Sequence, residues 1–216
     1  MAEALEIEAE MLNDIYQPSF NIAPAQDCSL LLNVDDKKEL KTMTWGLKTD
    51  WGTNRLINAR QESLTQKPSF RHLIDQNRAI VFMDGYYEWL PQSNGCKKER
   101  RPHYISAVDG QLLMAAALWQ QQYDEQMQPI FNFTIITTQA NDNINYIHER
   151  MPLILNKENS LKWLNLRSNH NDVLKLLGKR PAQMQAKEVN QFVNSVKNNS
   201  PQCLAPPEPP MQLELF

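Results

Sequence analysis

Between residues 29 and 138 the chain is cut into short apolar runs of strand length, parted by turn residues. "SLLLNV" (29–34) and "LKTMTW" (40–45) read as paired strands across the polar "DDKKE". "AIVFMDGYYEWL" (79–90) is the strongest strand signal. "HYISAVDGQLLMAAALW" (103–119) reads as a hairpin turning at Asp109-Gly110, and "IFNFTIITT" (130–138) is β-rich in composition. Strands therefore dominate the middle. The expected fold class is α+β, with a curved, largely antiparallel sheet or barrel-like core and peripheral helices.

Helical spacing is confined to shorter pieces. Leu5, Ala9, Leu12 and Tyr16 form the apolar stripe of an acidic helix over 1–16, ended by Pro18. Ser69 is positioned to cap a short helix carrying Phe70, Leu73 and Ile74. "NDNINYIH" (141–148) reads as a further short helix, and others are expected at 157–165 and at 172–177 before Gly178. "WGLKTDWG" (45–52) reads as an irregular loop, and "AQMQAKEVNQFV" (182–193) fits either helix or strand.

With 216 residues, 42% apolar and 22% charged, the chain suits one folded domain over 1–206 and a Pro-rich, disordered tail over 207–216. A net charge of −3 argues against a general nucleic-acid coat but permits a local basic patch. No run is long enough to span a bilayer, and no signal peptide is legible. Cys28, Cys96 and Cys203 are widely separated and form no C-x-x-C pair. Neither a disulfide framework nor a metal site is indicated, and a reducing, cytoplasmic location is expected.

Polar groups gather among aromatics in "FNIAP" (20–24), "INARQE" (57–62), "DGYYEW" (84–89) and "IHERMP" (147–152). Glu88 lies between Tyr87 and Trp89. It is either a solvent-facing strand residue or a buried acid, re-aimed by Asp84-Gly85, with a pKa raised into the range useful for proton transfer. His148 is either a satisfied surface histidine or a proton donor held on a tight connection. Asn58 and Arg60 point the same way if "INAR" is extended, which suits an oxygen-rich ligand; a structural Arg60–Glu62 pair fits the spacing equally. Trp45, Trp51, Tyr86, Tyr87 and Trp89 serve either as core or as a stacking surface for unpaired bases.

These stretches, in this order, together with "VNSVKNNSPQCLAP" (193–206), resemble the SRAP family, the SOS response-associated peptidases or abasic-site processing proteins. The resemblance implies binding to single-stranded DNA at an abasic site. It further implies closure of a thiazolidine between the sugar aldehyde and the amine and thiol of an N-terminal cysteine. Asn58 would orient that nucleophile, Glu88 would act as acid/base, and His148 would protonate the opening ring oxygen. Arg60 would hold a phosphate, with Arg71, Arg78 and Arg150 as further DNA contacts. Trp45 and Trp51 would keep the DNA bent. No cofactor is implied, and a monomer associated with the nucleoid is expected. A non-catalytic lesion-binding module and a peptidase are the alternatives.

Two departures stand out. The family begins Met-Cys-Gly-Arg, whereas this chain begins Met-Ala-Glu-Ala. Either the native start lies upstream or the crosslinking residue has been lost. Retention of Asn58, Glu88 and His148 favours the first. Thr49 also replaces a proline usual in the family. Finally, "QLELF" (212–216) resembles the pentapeptide by which bacterial repair proteins hold the sliding clamp. Leu213, Leu215 and Phe216 would enter apolar pockets and Gln212 would make polar contacts.

Overall fold

A computed structural model describes residues 18–49, 52–94, 97–168, 170–176 and 183–208. The expected helix over 1–16, the tail motif at 212–216 and Trp51 lie outside them. The centre is a sheet closed on itself. Its ring is β10 (Pro129–Gln139), β2 (Lys37–Trp45), β1 (Asp27–Val34), β6 (Arg78–Met83) and β9 (Leu113–Tyr123), which returns to β10. The pairing of β10 with β2 is parallel and the other ring contacts are antiparallel. Closure leaves the ring strands no free edge between them.

Why the ring closes is visible in the alternation of its side chains. Leu30 and Leu32 enter one apolar cluster and Leu31 the other. Ala79 and Val81 are parted from Ile80 in the same way, and Ala115 and Ala117 from Ala116. Period-2 strands with both faces apolar must be covered on both sides. Three short helices contribute to one cover: α1 (Pro68–Arg71), α2 (Lys157–Leu164) and α3 (His170–Leu176), through Phe70, Trp163 and Val173. The other cluster takes in Ile105, Ala107 and Met184 from a separate three-stranded sheet. That sheet consists of β7 (Gly85–Asn94), β8 (Lys97–Ala107) and β12 (Met184–Glu188). Each fully buried Leu or Ile contributes about 1.5–3 kcal/mol.

The structure corrects several sequence expectations. The run 79–90 is two strands: the chain leaves the ring at Met83, bends at Asp84 and enters the outer sheet at Gly85. A Cβ on Gly85 would stand 2.5 Å from the Ile105 carbonyl oxygen, so the crossing requires glycine. Residues 103–119 are not a paired hairpin. The chain turns at Gly110 (φ +70°), but β8 joins the outer sheet and β9 the ring. The β1–β2 turn is only Asp35-Asp36, both at positive φ, and the two lysines after it already belong to β2. Helix α1 takes Lys67 as its N-cap without a side-chain bond, and Pro68 fixes its first turn, so Ser69 caps nothing. Segment 141–148 makes turns rather than a helix. The expected loop after Trp45 holds a small antiparallel pair, β3 (Leu47–Thr49) and β4 (Gly52–Leu56).

Arg78 also departs from its expected DNA role. It is 2% exposed. Its guanidinium donates to the carbonyls of Trp163 (2.5 Å), Ile74 (2.7 Å), Asp75 (3.2 Å) and Asn165 (2.7 Å). These are open carbonyls at the ends of α1 and α2, where a buried cation is favoured. Arg78 holds the helices to the ring and has no face toward DNA.

Candidate functional site

A groove of about 1270 Å³ opens between the ring and the outer sheet. Asn58, Arg60, Glu88, His148, Arg150 and Trp45 all line it, although they come from widely separated stretches. The short strand β5 (Asn58–Arg60) explains one pair. It runs parallel to β10, with Asn58 opposite Ile135 and Arg60 opposite Thr137. Ala59 is buried between them, so Asn58 and Arg60 both face outward on the groove side. In place of the Arg60–Glu62 pair that the spacing allowed as an alternative, Glu62 takes a bidentate bond from Arg150, at 2.8 and 3.0 Å.

Glu88 is placed by the strand switch at Asp84. It pairs with His103 across β7 and β8, and its half-buried side chain lines the groove. Burial raises its pKa; the nearby His148 imidazole and a bond from the Trp89 backbone oppose that rise. Of the two readings left open for Glu88, the sheltered one holds. Tyr86, two residues earlier, is also held high by burial and by the Glu88 charge, and its hydroxyl is buried without a hydrogen-bond partner.

His148 follows the turns of 142–147 and is exposed. The Arg150 backbone N–H donates to its Nδ1 at 3.0 Å. The Arg150 carbonyl oxygen stands 3.1 Å from the same Nδ1, so one peptide flanks that nitrogen with both a donor and an acceptor. Arg150 itself lines the groove, and its guanidinium is bound by Glu62 and by the Thr137 carbonyl (2.6 Å). Arg71 is exposed but lies outside the groove lining.

Trp45 forms part of the wall. Its Nε1 donates to the Ile57 carbonyl at 2.9 Å, and its ring stacks 6.5 Å from Phe133. Cys28 also lines the groove, but burial raises its thiol to about 11, so it is protonated and inert near neutral pH. Sequence reasoning singled out "FNIAP" without assigning its asparagine. Asn21 is buried and its amide donates to the carbonyls of Val193, Ser195 and Asn198, each at 3.1 Å. Tyr87 donates to the Phe20 carbonyl and Trp89 to Asn194. These bonds fasten segments 18–24 and 190–204 against β7 and shape the rim. The only sequence signal for them was a polar residue in an apolar motif.

Among the described residues no group of His, Cys, Asp and Glu is arranged to hold a metal ion, and no helix is long and apolar enough to cross a membrane. A sheltered acid, an exposed histidine, an amide and an exposed guanidinium thus share one groove. They suit proton transfer on a ligand that carries a phosphate.

The family model described as "SOS response associated peptidase (SRAP)" matches residues 1–196. The chain is 35% identical over 209 residues to the abasic site processing protein YoqW of Bacillus subtilis, covering 94% of this chain and 92% of that one. It is 31% identical to the abasic site processing protein YedK of Escherichia coli, covering 87% of this chain and 84% of the relative. A crystal structure of a protein from Bacteroides thetaiotaomicron superposes with a TM-score of 0.71 at 27% identity, over 84% of this chain and 82% of that one.

Proposed function

The chain belongs to the SOS response associated peptidase (SRAP) family, and from that premise we propose that it processes abasic sites in single-stranded DNA held in this groove. The observation that carries the reading is Glu88: a carboxyl sheltered by burial and facing His148, in the same groove as Asn58 and Arg60. Arg60 binds a backbone phosphate beside the lesion. A protonated His148 gives its proton to the sugar ring oxygen as the C1′–O4′ bond breaks, while the Glu88 carboxylate takes the C1′ hydroxyl proton, which frees the aldehyde. An amine adds to the aldehyde carbon; Glu88 shuttles one amine proton to the carbonyl oxygen and then protonates the resulting hydroxyl, which leaves as water, and the remaining N–H proton returns to His148 to give the imine.

In the covalent form of this reading, a thiol then adds to the imine carbon and closes a thiazolidine. Amine and thiol belong to an N-terminal cysteine, with Asn58 orienting it. The intact mass of the protein expressed from its own locus tests for that cysteine at the mature N-terminus. Glu88→Gln tests the site itself: product from an abasic single strand should fall while affinity for the strand is kept. Loss of affinity with the chemistry intact would overturn it.

We also propose that "QLELF" tethers the protein to the bacterial sliding clamp, with the Pro-rich stretch before it as a spacer. Deleting 212–216 should abolish clamp pull-down and leave DNA binding unchanged; retained pull-down would overturn the tether.

A further inference from the structure

His148 is exposed and sits after a run of turns, a poor place to hold an imidazole by packing. Its orientation depends on the backbone of Arg150. The Arg150 N–H donates to Nδ1 at 3.0 Å, and the Arg150 carbonyl oxygen stands 3.1 Å from the same atom. That backbone is fixed in two ways. Strand β11 (Arg150–Pro152) pairs with β10, Gln139 opposite Arg150. The side chain adds a second hold, with both Glu62 oxygens at 2.8 and 3.0 Å and the Thr137 carbonyl at 2.6 Å. Glu62 comes from the short helical turn Gln61–Ser63, directly after Arg60 of β5. The Arg150 bond holds the Glu62 carboxyl below the usual carboxylate range, so it stays charged at neutral pH.

We infer that Glu62 is a positioning residue for His148, acting through Arg150: the bidentate pair locks the Arg150 peptide against Nδ1 and so fixes the orientation and the tautomer of the ring. It never touches the DNA. The same brace links the elements carrying Arg60 and His148, so the phosphate contact and the proton donor are held in fixed relation. The inference rests on the proposed role of His148 only for its effect on rate, not for its effect on the ring.

The test is nitrogen NMR of the histidine rings in the full chain, with His148 assigned by its loss in His148→Gln. In the wild type the neutral ring should be a single tautomer. Glu62→Ala should give a mixture of both tautomers and lower abasic-site product formation about tenfold, less than the loss of a proton-transfer group itself would. Glu62→Gln, which keeps the shape and one acceptor, should restore part of both. A His148 tautomer unchanged in Glu62→Ala overturns the inference whatever happens to the rate. A changed tautomer with an unchanged rate supports the brace and instead removes His148 from the chemistry.

Discussion

Strands β6 and β7 are separated by one residue, yet each holds a charged group in an opposite way. In β6, Arg78 is enclosed and its guanidinium is met by fixed carbonyls at the ends of two helices. In β7, Glu88 is sheltered among aromatics and its charge is met by the backbone of Trp89 and an exposed imidazole. Tyr86 beside it keeps a buried hydroxyl with no partner. The bonded guanidinium of Arg78 holds the helices to the ring. At Glu88 and Tyr86 a desolvation penalty and an unmade bond persist, which is how sites prepared for a ligand differ from sites that are only structural.

The largest test of that contrast is chemical. Glu88→Gln should lower product formation on an abasic single strand by roughly 100-fold or more, the usual range for a proton-transfer group. It should leave the Tm at or above the wild-type value near neutral pH, because Gln has no charge to desolvate. Thermal melts and a denaturing gel read the two effects. Their pH dependence has a defined sign. A raised folded pKa means Glu88 opposes folding above its unfolded pKa and stops doing so below it. The stability advantage of Gln should therefore shrink as pH falls from the raised folded pKa toward the ordinary carboxylate value, and be gone below it. Arg78→Ala should do the reverse, costing about 3 kcal/mol of stability through lost charged hydrogen bonds. It should leave single-strand affinity unchanged in the folded fraction. If it instead weakened binding in a stable protein, the contrast would be broken.

Smaller effects sharpen it. Arg60→Ala should reduce the salt dependence of single-strand binding by about one phosphate contact, without moving the Tm. Arg71→Ala should change stability by no more than about 0.5 kcal/mol and affinity by no measurable amount, because Arg71 lies outside the groove.

The sequence disclosed the strands because their alternating or wholly apolar composition is local. β1, β2 and β10 appear close to where patterning puts them. It did not disclose which strands pair: residues 103–119 look like a hairpin, yet Gly110 merely joins two sheets. Tertiary closure, not turn chemistry, decides that. The site was half legible. Asn58 and Arg60 share a face because strand period imposes it. Arg78 was misread because a cation in sequence looks the same whether it meets phosphate or helix carbonyls. The Glu62–Arg150 pair spans 88 positions and leaves no local signal. Thr137 contributes a backbone oxygen there, which no side-chain pattern encodes.

The central claim is that Glu88, half-buried on the groove side, transfers a proton at the abasic sugar. The most direct measurement is the pH–rate profile of product formation on an abasic single strand, wild type against Glu88→Gln, with protein expressed from its own locus. As base, the Glu88 carboxylate is the active form, so the wild-type rate should fall toward acid with a limb above the ordinary carboxylate range. That limb should vanish in a slow, flat Glu88→Gln profile. Superimposable profiles at the same rate would contradict the claim.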